Sequence, residues 1–213
     1  MSRTVAQTLV CLFALLTLQC GGSAEQTDYV AASGDDGCVA VMADSLPRAV
    51  GRVRAGTEEA RVGVSVDSMG DTVVSRALYR FRSFYPTYTT DGLRLHLRSL
   101  SAAGTPGTIR VYAVPDFGSL PSLPTDSASD VSTYWTIADS SVLLATISPA
   151  SDTWFTLDLV GLDLESCNGV LALELTLEDE SRPAGNWYDM LTFDYAVSHN
   201  TTKPYITYVI TQI

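Results

Sequence analysis

The sequence predicts an all-β fold, an antiparallel β-sandwich of about eight or nine strands. Apolar and polar residues alternate with period two in run after run, and turns rich in Gly, Pro, Asn, Asp and Ser separate the runs. Only 43–60 has a briefly helical pattern, which Pro47 and Gly51 weaken. Because each such strand has one dry face, two sheets must cover one another.

The alternation is clearest in the second half of the chain. In 171–177, for example, leucines at every second position flank Ala172, Glu174 and Thr176. A long segment rich in Pro, Ser and Asp, 115–134, interrupts the runs and is predicted to be a loop. The strongest runs are 75–84, 93–100, 108–114, 154–159, 171–177 and 205–210, and the weaker ones are 61–67, 142–147 and 191–195.

Residues 1–19 have the pattern of a signal peptide, with an apolar run, 9–18, that is too short to span a bilayer. Cys20 follows in a lipoprotein-like context, although Gln19 departs from the small residue usual before a lipidated cysteine. We expect lipidation at Cys20, an outer-membrane anchor in the cell envelope, a flexible tether over 20–36 and one β-sandwich domain over 37–213. The alternative is ordinary cleavage, for instance after Ala24, and a free periplasmic or secreted domain.

The chain is acidic, with 24 Asp and Glu against 13 Lys and Arg and a formal net charge of −11. Nucleic acids and anionic membrane surfaces are therefore poor partners for the whole molecule. Any membrane association is expected to depend on the lipid anchor alone.

Two cysteines remain after Cys11 in the signal and Cys20 at the lipidation site. In an oxidising compartment, Cys38 and Cys167 are expected to form a disulfide, which would stabilise the fold by about 3–5 kcal/mol in the chain-entropy model. The alternative is two separately buried thiols.

The chain from residue 73 onward resembles bacterial jelly-roll modules of the DNRLRE or disaggregatase-related type, close to carbohydrate-binding modules of the CBM96 kind. Six pieces carry this resemblance in order, while the hexapeptide that names the family is absent. The pieces are SRALYRF, DGLRLHLRSL, GTIRVYAV, DTWFTLDL, CNGVLALEL and KPYITYVI.

This resemblance implies a jelly-roll sandwich that binds an extracellular or cell-surface polysaccharide and does not cleave it. The alternative is a structural lipoprotein that docks another envelope protein and binds no sugar. A polysaccharide hydrolase or lyase is the third alternative. The chain contains no P-loop, G-x-S-x-G, H-E-x-x-H or C-x-x-C motif, and neither His96 nor His199 lies in a catalytic pattern. We therefore expect no enzymatic activity.

The carboxylates are scattered, and their densest runs are 35–36, 67–71 and 178–180. Calcium requires six to eight converging oxygens, and none of these runs has a diagnostic spacing. No cofactor is expected, although the resemblance allows one structural Ca²⁺ at a site that the sequence does not identify.

Arginines on the polar faces of three successive predicted strands form a candidate ligand-binding stripe, if these strands share a sheet. Arginine suits carboxylate and sulfate groups, so an anionic polysaccharide is favoured. Cross-strand pairing with outward acids such as Asp158 and Glu174 is the alternative. Aromatic side chains in two predicted loops would stack on sugar rings, or would instead plug the ends of the sandwich. The candidate ligand-binding residues are Arg94, Arg98, Arg110, Tyr85, Tyr88, Trp187 and Tyr188.

Overall fold

The computed structural model describes residues 23–45, 51–82, 89–121, 128–137, 141–162 and 169–211. This part of the chain contains mostly strands, with short 3-10 turns at Ser33–Asp35 and Ala43–Ser45. The strands are β1 (Ser23–Tyr29), β2 (Asp36–Met42), β3 (Gly51–Ala55), β4 (Glu59–Val66), β5 (Thr72–Phe81), β6 (Thr89–Ala103), β7 (Ile109–Val114), β8 (Val142–Ile147), β9 (Thr153–Asp158), β10 (Leu171–Leu177), β11 (Asn186–Leu191) and β12 (Tyr205–Thr211), and the helices are α1 (Ala128–Trp135) and α2 (Phe193–Ser198).

The strands pair antiparallel throughout and join into one curled sheet in the order β1-β12-β6-β11-β4-β5-β10-β7-β8. Off this path, β2 pairs with β3 and β5, and β9 pairs with β6. Strand β6 is the longest of the described strands and pairs along its length with β12, β9 and β11. The predicted all-β fold class is confirmed, with twelve described strands in place of eight or nine.

One hydrophobic cluster forms the core, to which strands throughout the sheet contribute. The alternation in β6 has the expected result: Leu95 and Leu97 are fully buried, whereas Arg94 between the apolar positions is exposed. Every residue of Leu171–Leu177 is buried. Each leucine that such a sheet buries contributes roughly 1.5–3 kcal/mol, so the core supplies the main stabilising free energy.

Helix α1 covers β2 and β3, in a segment that the sequence predicts to be a loop. Val131 is fully buried, and Trp135 is 7% exposed. The Arg76 guanidinium lies 3.7 Å from the centre of the Trp135 ring and also donates to the Trp135 carbonyl at 3.0 Å. Val131 thus joins the same hydrophobic cluster as Val39 of β2 and Val53 of β3.

Two expectations about the first 60 residues need correction. Much of the expected tether belongs to the fold, since Ser23–Tyr29 forms β1 and pairs with β12 along its whole length. The brief helical pattern in 43–60 gives no α-helix among the described residues of that range, which contain a 3-10 turn, β3 and the start of β4. Small residues weaken the period-two signal here, and β2 is buried on nearly all of its positions, so its sequence does not alternate.

Candidate functional site

The predicted arginine stripe does not exist as one surface. Arg94 and Arg98 lie on β6, and Arg110 lies on β7, and these two strands are not neighbours in the sheet. Arg94 pairs with Asp158 at 3.0 Å, Arg98 pairs with Asp152, and Arg110 pairs with Glu178 at 2.9 Å. The alternative of pairing with outward acids therefore describes these three arginines in the structure.

The arginines of β5 and the residue that follows it are paired as well. Arg76 binds Glu180 at 2.8 Å, Arg80 binds Asp116 at 2.6 Å, and Arg82 binds Asp35 at 2.6 Å. Arg76 also pairs with Glu174 at 3.1 Å, but Glu174 is 0% exposed and is therefore not the outward acid that the alternation predicted. These contacts neutralise the β5 arginines, so they do not form a free basic surface.

The structure places the aromatic residues that were predicted to bind a ligand in different environments. Tyr85 and Tyr88 lie outside the described residues. Trp187 and Tyr188 lie on β11 rather than in a loop, so alternation places them on opposite faces of the strand. Tyr188 is 4% exposed and donates from its hydroxyl to the Gly107 carbonyl at 2.7 Å. It is a core residue, and its assignment to a ligand-binding surface is corrected.

Trp187 is half-buried and already has partners on its face of β11. The Arg61 guanidinium lies 4.7 Å from the centre of the indole ring, and the indole N–H donates to Asp189 at 3.3 Å. Arg61 in turn binds Asp189 at 2.7 Å. These contacts fix the ring by a cation–π contact and a hydrogen bond.

A cluster of aromatic rings that the sequence analysis did not assemble lies on four adjacent strands, β1, β12, β6 and β9. Tyr205 is at its centre, with its ring centroid 5.4 Å from Tyr29, 6.0 Å from Trp154 and 4.3 Å from His96. Tyr29 is 48% exposed and Trp154 is 37% exposed. We call Tyr29, His96, Trp154 and Tyr205 the aromatic patch.

Strand register explains why these four side chains meet. Tyr29 is the cross-strand partner of Tyr205, which is the partner of His96 on the next strand. Trp154 is the cross-strand partner of Arg98. Arg98 lies two residues beyond His96 on β6, so both side chains are on the same face. Directly opposed residues share one face of a sheet, so the patch is a surface feature on one face. The sequence does indicate that Trp154 faces away from the core, because it alternates with the apolar positions of its strand.

His96 serves the patch as a neutral ring. Its Nε2 lies 3.0 Å from the Thr207 hydroxyl and its Nδ1 lies 3.0 Å from the Thr156 hydroxyl. Burial lowers the pKa of His96, and the neighbouring Arg94 charge lowers it further, while Glu25 raises it. The imidazole therefore stays uncharged near neutral pH, stacked within 5° of parallel on Tyr205. His199 is stacked on Tyr195 instead, with its Nδ1 3.1 Å from the Tyr195 carbonyl.

A groove of about 550 Å³ opens elsewhere on the sheet and is lined from β2, β3, β4, β5 and β11. Its lining includes Cys38, Arg52, Arg54, Ser65 and Ser75. No residue of the aromatic patch lines it, so the two features are separate.

Buried carboxylates gather near the start of β2. Asp35 and Asp36 are 0% and 1% exposed, and Asp36 accepts a hydrogen bond from the Phe193 N–H at 2.6 Å. One carboxylate oxygen each of Asp35, Asp36 and Asp194 is buried without a hydrogen-bond donor among the described residues. The charges of Asp194 and Asp35 add to burial in raising the pKa of Asp36. Within the described ranges, no group of three His, Cys, Asp or Glu residues is arranged to hold a metal ion.

Cys38 is a buried free thiol in the structure, and burial raises its pKa. Its expected disulfide partner, Cys167, lies outside the described residues, so no disulfide is formed in the part of the chain that the structure covers, and the pairing stays a prediction. Cys20 also lies outside this part. No helix in the described ranges is long and apolar enough to cross a membrane.

No family model matches the chain, and no curated protein matches it. Two solved structures that resemble it are carbohydrate-binding modules. One is the family 11 carbohydrate-binding module from Clostridium thermocellum in complex with a beta-1,3-1,4-mixed-linked tetrasaccharide, at a TM-score of 0.31 and 8% identity, over 86% of this chain and 87% of that one. The other is a CBM4 structure, at a TM-score of 0.33 and 11% identity, over 86% of this chain and 99% of that one. Because both TM-scores are low, we infer function from this chain's own side chains.

Proposed function

We propose that the protein is an exported, non-catalytic module of the cell envelope that binds a polysaccharide on the aromatic patch. The observation that carries this proposal is the exposure of Tyr29 and Trp154 beside Tyr205 on one face of four adjacent strands. Export and a lipid anchor at Cys20 are the parts of the proposal that rest on the N-terminal sequence.

The patch has the chemistry that sugars require. Aromatic rings offer large, rigid apolar faces against which the C–H groups of a pyranose ring can stack, and few rotamers are lost when the ligand arrives. Side chains on a sheet stay where the backbone holds them, so the rings are pre-organised. Contiguous exposed apolar surface of sufficient size marks ligand or partner binding sites.

Polar groups border the rings and can orient the sugar hydroxyls. Arg94 is 54% exposed at its side chain and its partner Asp158 is 72% exposed, so both can also contact a ligand. Thr156 adds an exposed hydroxyl on β9. An anionic sugar would compete with Asp158 for Arg94, whereas a neutral one would hydrogen-bond to the intact pair. The affinity of an anionic polysaccharide should therefore be the more sensitive to salt.

Affinity electrophoresis tests the proposal on the mature protein, in gels cast with alginate, pectin, a sulfated glycan or a neutral glucan. At least one polysaccharide should retard the wild type. Trp154→Ala should weaken that binding about tenfold, since losing one stacking ring costs about 1.4 kcal/mol. Tyr29→Ala should weaken it by a similar factor.

Val142→Ala is the matched control, because Val142 is 51% exposed on β8, outside the patch. It should migrate as the wild type does in every gel. Equal mobility of the wild type in all four gels at low salt would overturn the proposal, and a partner protein that co-purifies with the wild type but not with Trp154→Ala would assign the patch to protein docking. A steady release of reducing ends or of unsaturated products would show an enzyme instead.

A further inference from the structure

Two arginines of the groove lack the carboxylate partner that every other described arginine has. Arg52 and Arg54 are exposed on β3, and neither has a carboxylate within 4.0 Å among the described residues. Every other arginine that the structure describes lies within that distance of an Asp or Glu oxygen. The protein has a net charge of −11, so acids are abundant. Two neighbouring arginines without an acidic partner are therefore unexpected.

Strand register brings these two arginines over a polar floor. Arg52 is the partner of Ala40, which is the partner of Ser75 on β5. Arg54 is the partner of Cys38 in the same way. Arg52, Arg54, Cys38 and Ser75 therefore share one face and line the same groove.

The floor of the groove contains two serine hydroxyls. Ser65 is 6% exposed and Ser75 is 4% exposed, and both line the groove. Neither hydroxyl has a hydrogen-bond partner within the described ranges.

The acids of the groove, in contrast, already have partners. Asp189 is held by Arg61 at 2.7 Å and by the Ser101 hydroxyl at 2.9 Å. Asp67 accepts the backbone N–H groups of its own turn, from Met69 at 2.8 Å and from Asp71 at 3.0 Å. Glu59 lies 3.9 Å from Arg61. The groups left open are thus mostly donors: two guanidinium forks above and two hydroxyls below.

We propose that the groove is a second binding site, which takes a small hydroxy-carboxylate such as an acidic sugar. The carboxylate would bind the forks of Arg52 and Arg54, a geometry that guanidinium groups favour. Hydroxyls of the ligand would bind Ser65 and Ser75. A volume of about 550 Å³ lies within the usual range of small-molecule sites.

Isothermal titration of the mature protein with glucuronate, sulfate and glucose tests this site. Glucuronate should bind, sulfate should bind more weakly because it lacks the hydroxyls, and glucose should not bind detectably. Removing one partly exposed arginine should weaken glucuronate binding up to about fivefold, and Arg52→Gln with Arg54→Gln should weaken it at least about tenfold. Arg110→Gln, which breaks an ion pair outside the groove, should leave the affinity unchanged.

A second readout uses Cys38, which lines the groove. In the folded wild type kept under a reductant, so that Cys38 is a thiol whether or not it can pair with Cys167, glucuronate should slow alkylation of Cys38, measured by mass spectrometry of its peptide, and should not slow it in the double arginine variant. Equal binding of glucose and glucuronate, or an unchanged affinity in the double variant, would overturn the proposal. Trp154→Ala should bind glucuronate like the wild type, so a failure of the aromatic patch and a failure of the groove give different results.

Discussion

Asp36 is a carboxylate that the fold buries at a cost in free energy. Its side chain is 1% exposed, and among the described residues no Lys, Arg or His nitrogen lies within 4.0 Å of its carboxylate. Burial is the main reason that its pKa lies well above the usual value, and the nearby charges of Asp194 and Asp35 raise the pKa further, while the Phe193 N–H lowers it in part. Asp116 is the opposite case, because a hydrogen bond from Arg80 lowers its pKa.

We therefore predict that Asp36→Asn becomes more stable relative to the wild type as pH rises. A carboxyl with a raised pKa in the folded state stabilises the fold below its unfolded pKa, about 3.9, and loses that contribution as pH rises through the folded pKa. Asparagine cannot ionise, and its amide oxygen can still accept the Phe193 N–H. Urea unfolding between pH 3.5 and 8, with a chelator present, measures the difference in the free energy of unfolding.

Asp116→Asn is the control of opposite sign. Its wild-type carboxylate stabilises the fold above the unfolded pKa, so this variant should lose stability relative to the wild type as pH rises. Parallel pH curves for Asp36→Asn and the wild type would refute the prediction. Repeating the measurement with Ca²⁺ tests the ion that the sequence allows: a calcium-dependent gain in the wild type that Asp36→Asn lacks would locate calcium at this cluster.

At the scale of the elements, the pairing of β4 with β11 requires a glycine at position 63. Gly63 has φ +137°, and a Cβ there would lie 2.4 Å from the Asn186 carbonyl oxygen and 2.6 Å from the Trp187 Cα. Both obstacles are backbone atoms, which cannot move aside without displacing the strand. Gly70, in the turn between β4 and β5, has φ +92° with nothing within 4 Å of its absent Cβ.

We predict that Gly63→Ala destabilises the protein more than Gly70→Ala does. Both variants force alanine into a strained backbone conformation, which costs about 1–3 kcal/mol, but only Gly63→Ala adds a clash with a neighbouring strand. Urea unfolding of the two variants measures the difference directly. Losses of equal size would mean that β4 and β11 can separate without cost.

The extent to which sequence reasoning succeeds also differs from element to element. The period-two leucines of β6 and β10 predict those strands because the pattern is local. The aromatic patch could not be predicted, since Tyr29 and Tyr205 come from opposite ends of the chain and meet only through the pairing of β1 with β12. Arg94, Arg98 and Arg110 show the same limit: their polar positions are predictable, whereas the neighbours of each strand are a property of the topology.

At the scale of the whole molecule, the N-terminal prediction remains the one with the largest consequence for function. Changing Cys20 to Ala should move the protein from the membrane fraction to the soluble fraction, because several acyl chains at about 0.8 kcal/mol per buried CH₂ are lost with the thiol. Fractionation followed by detection of the protein measures this. Recovery of the wild type in the soluble fraction would show that Gln19 prevents lipidation and that the signal is of the ordinary kind.

Strand β1 also determines how the molecule would carry a mechanical load. It begins only three residues after Cys20, a span of about 10 Å at most, and it ends at Tyr29 in the aromatic patch. Tension between an anchor at one end of this strand and a bound polymer at the other would run along β1. The cross-strand pairs of β1 with β12 extend from Ser23–Thr211 to Tyr29–Tyr205. Their hydrogen bonds would then be loaded together in shear and would not break one after another. The same strand that completes the sheet would thus make a short, stiff coupling between a cell surface and whatever the patch holds.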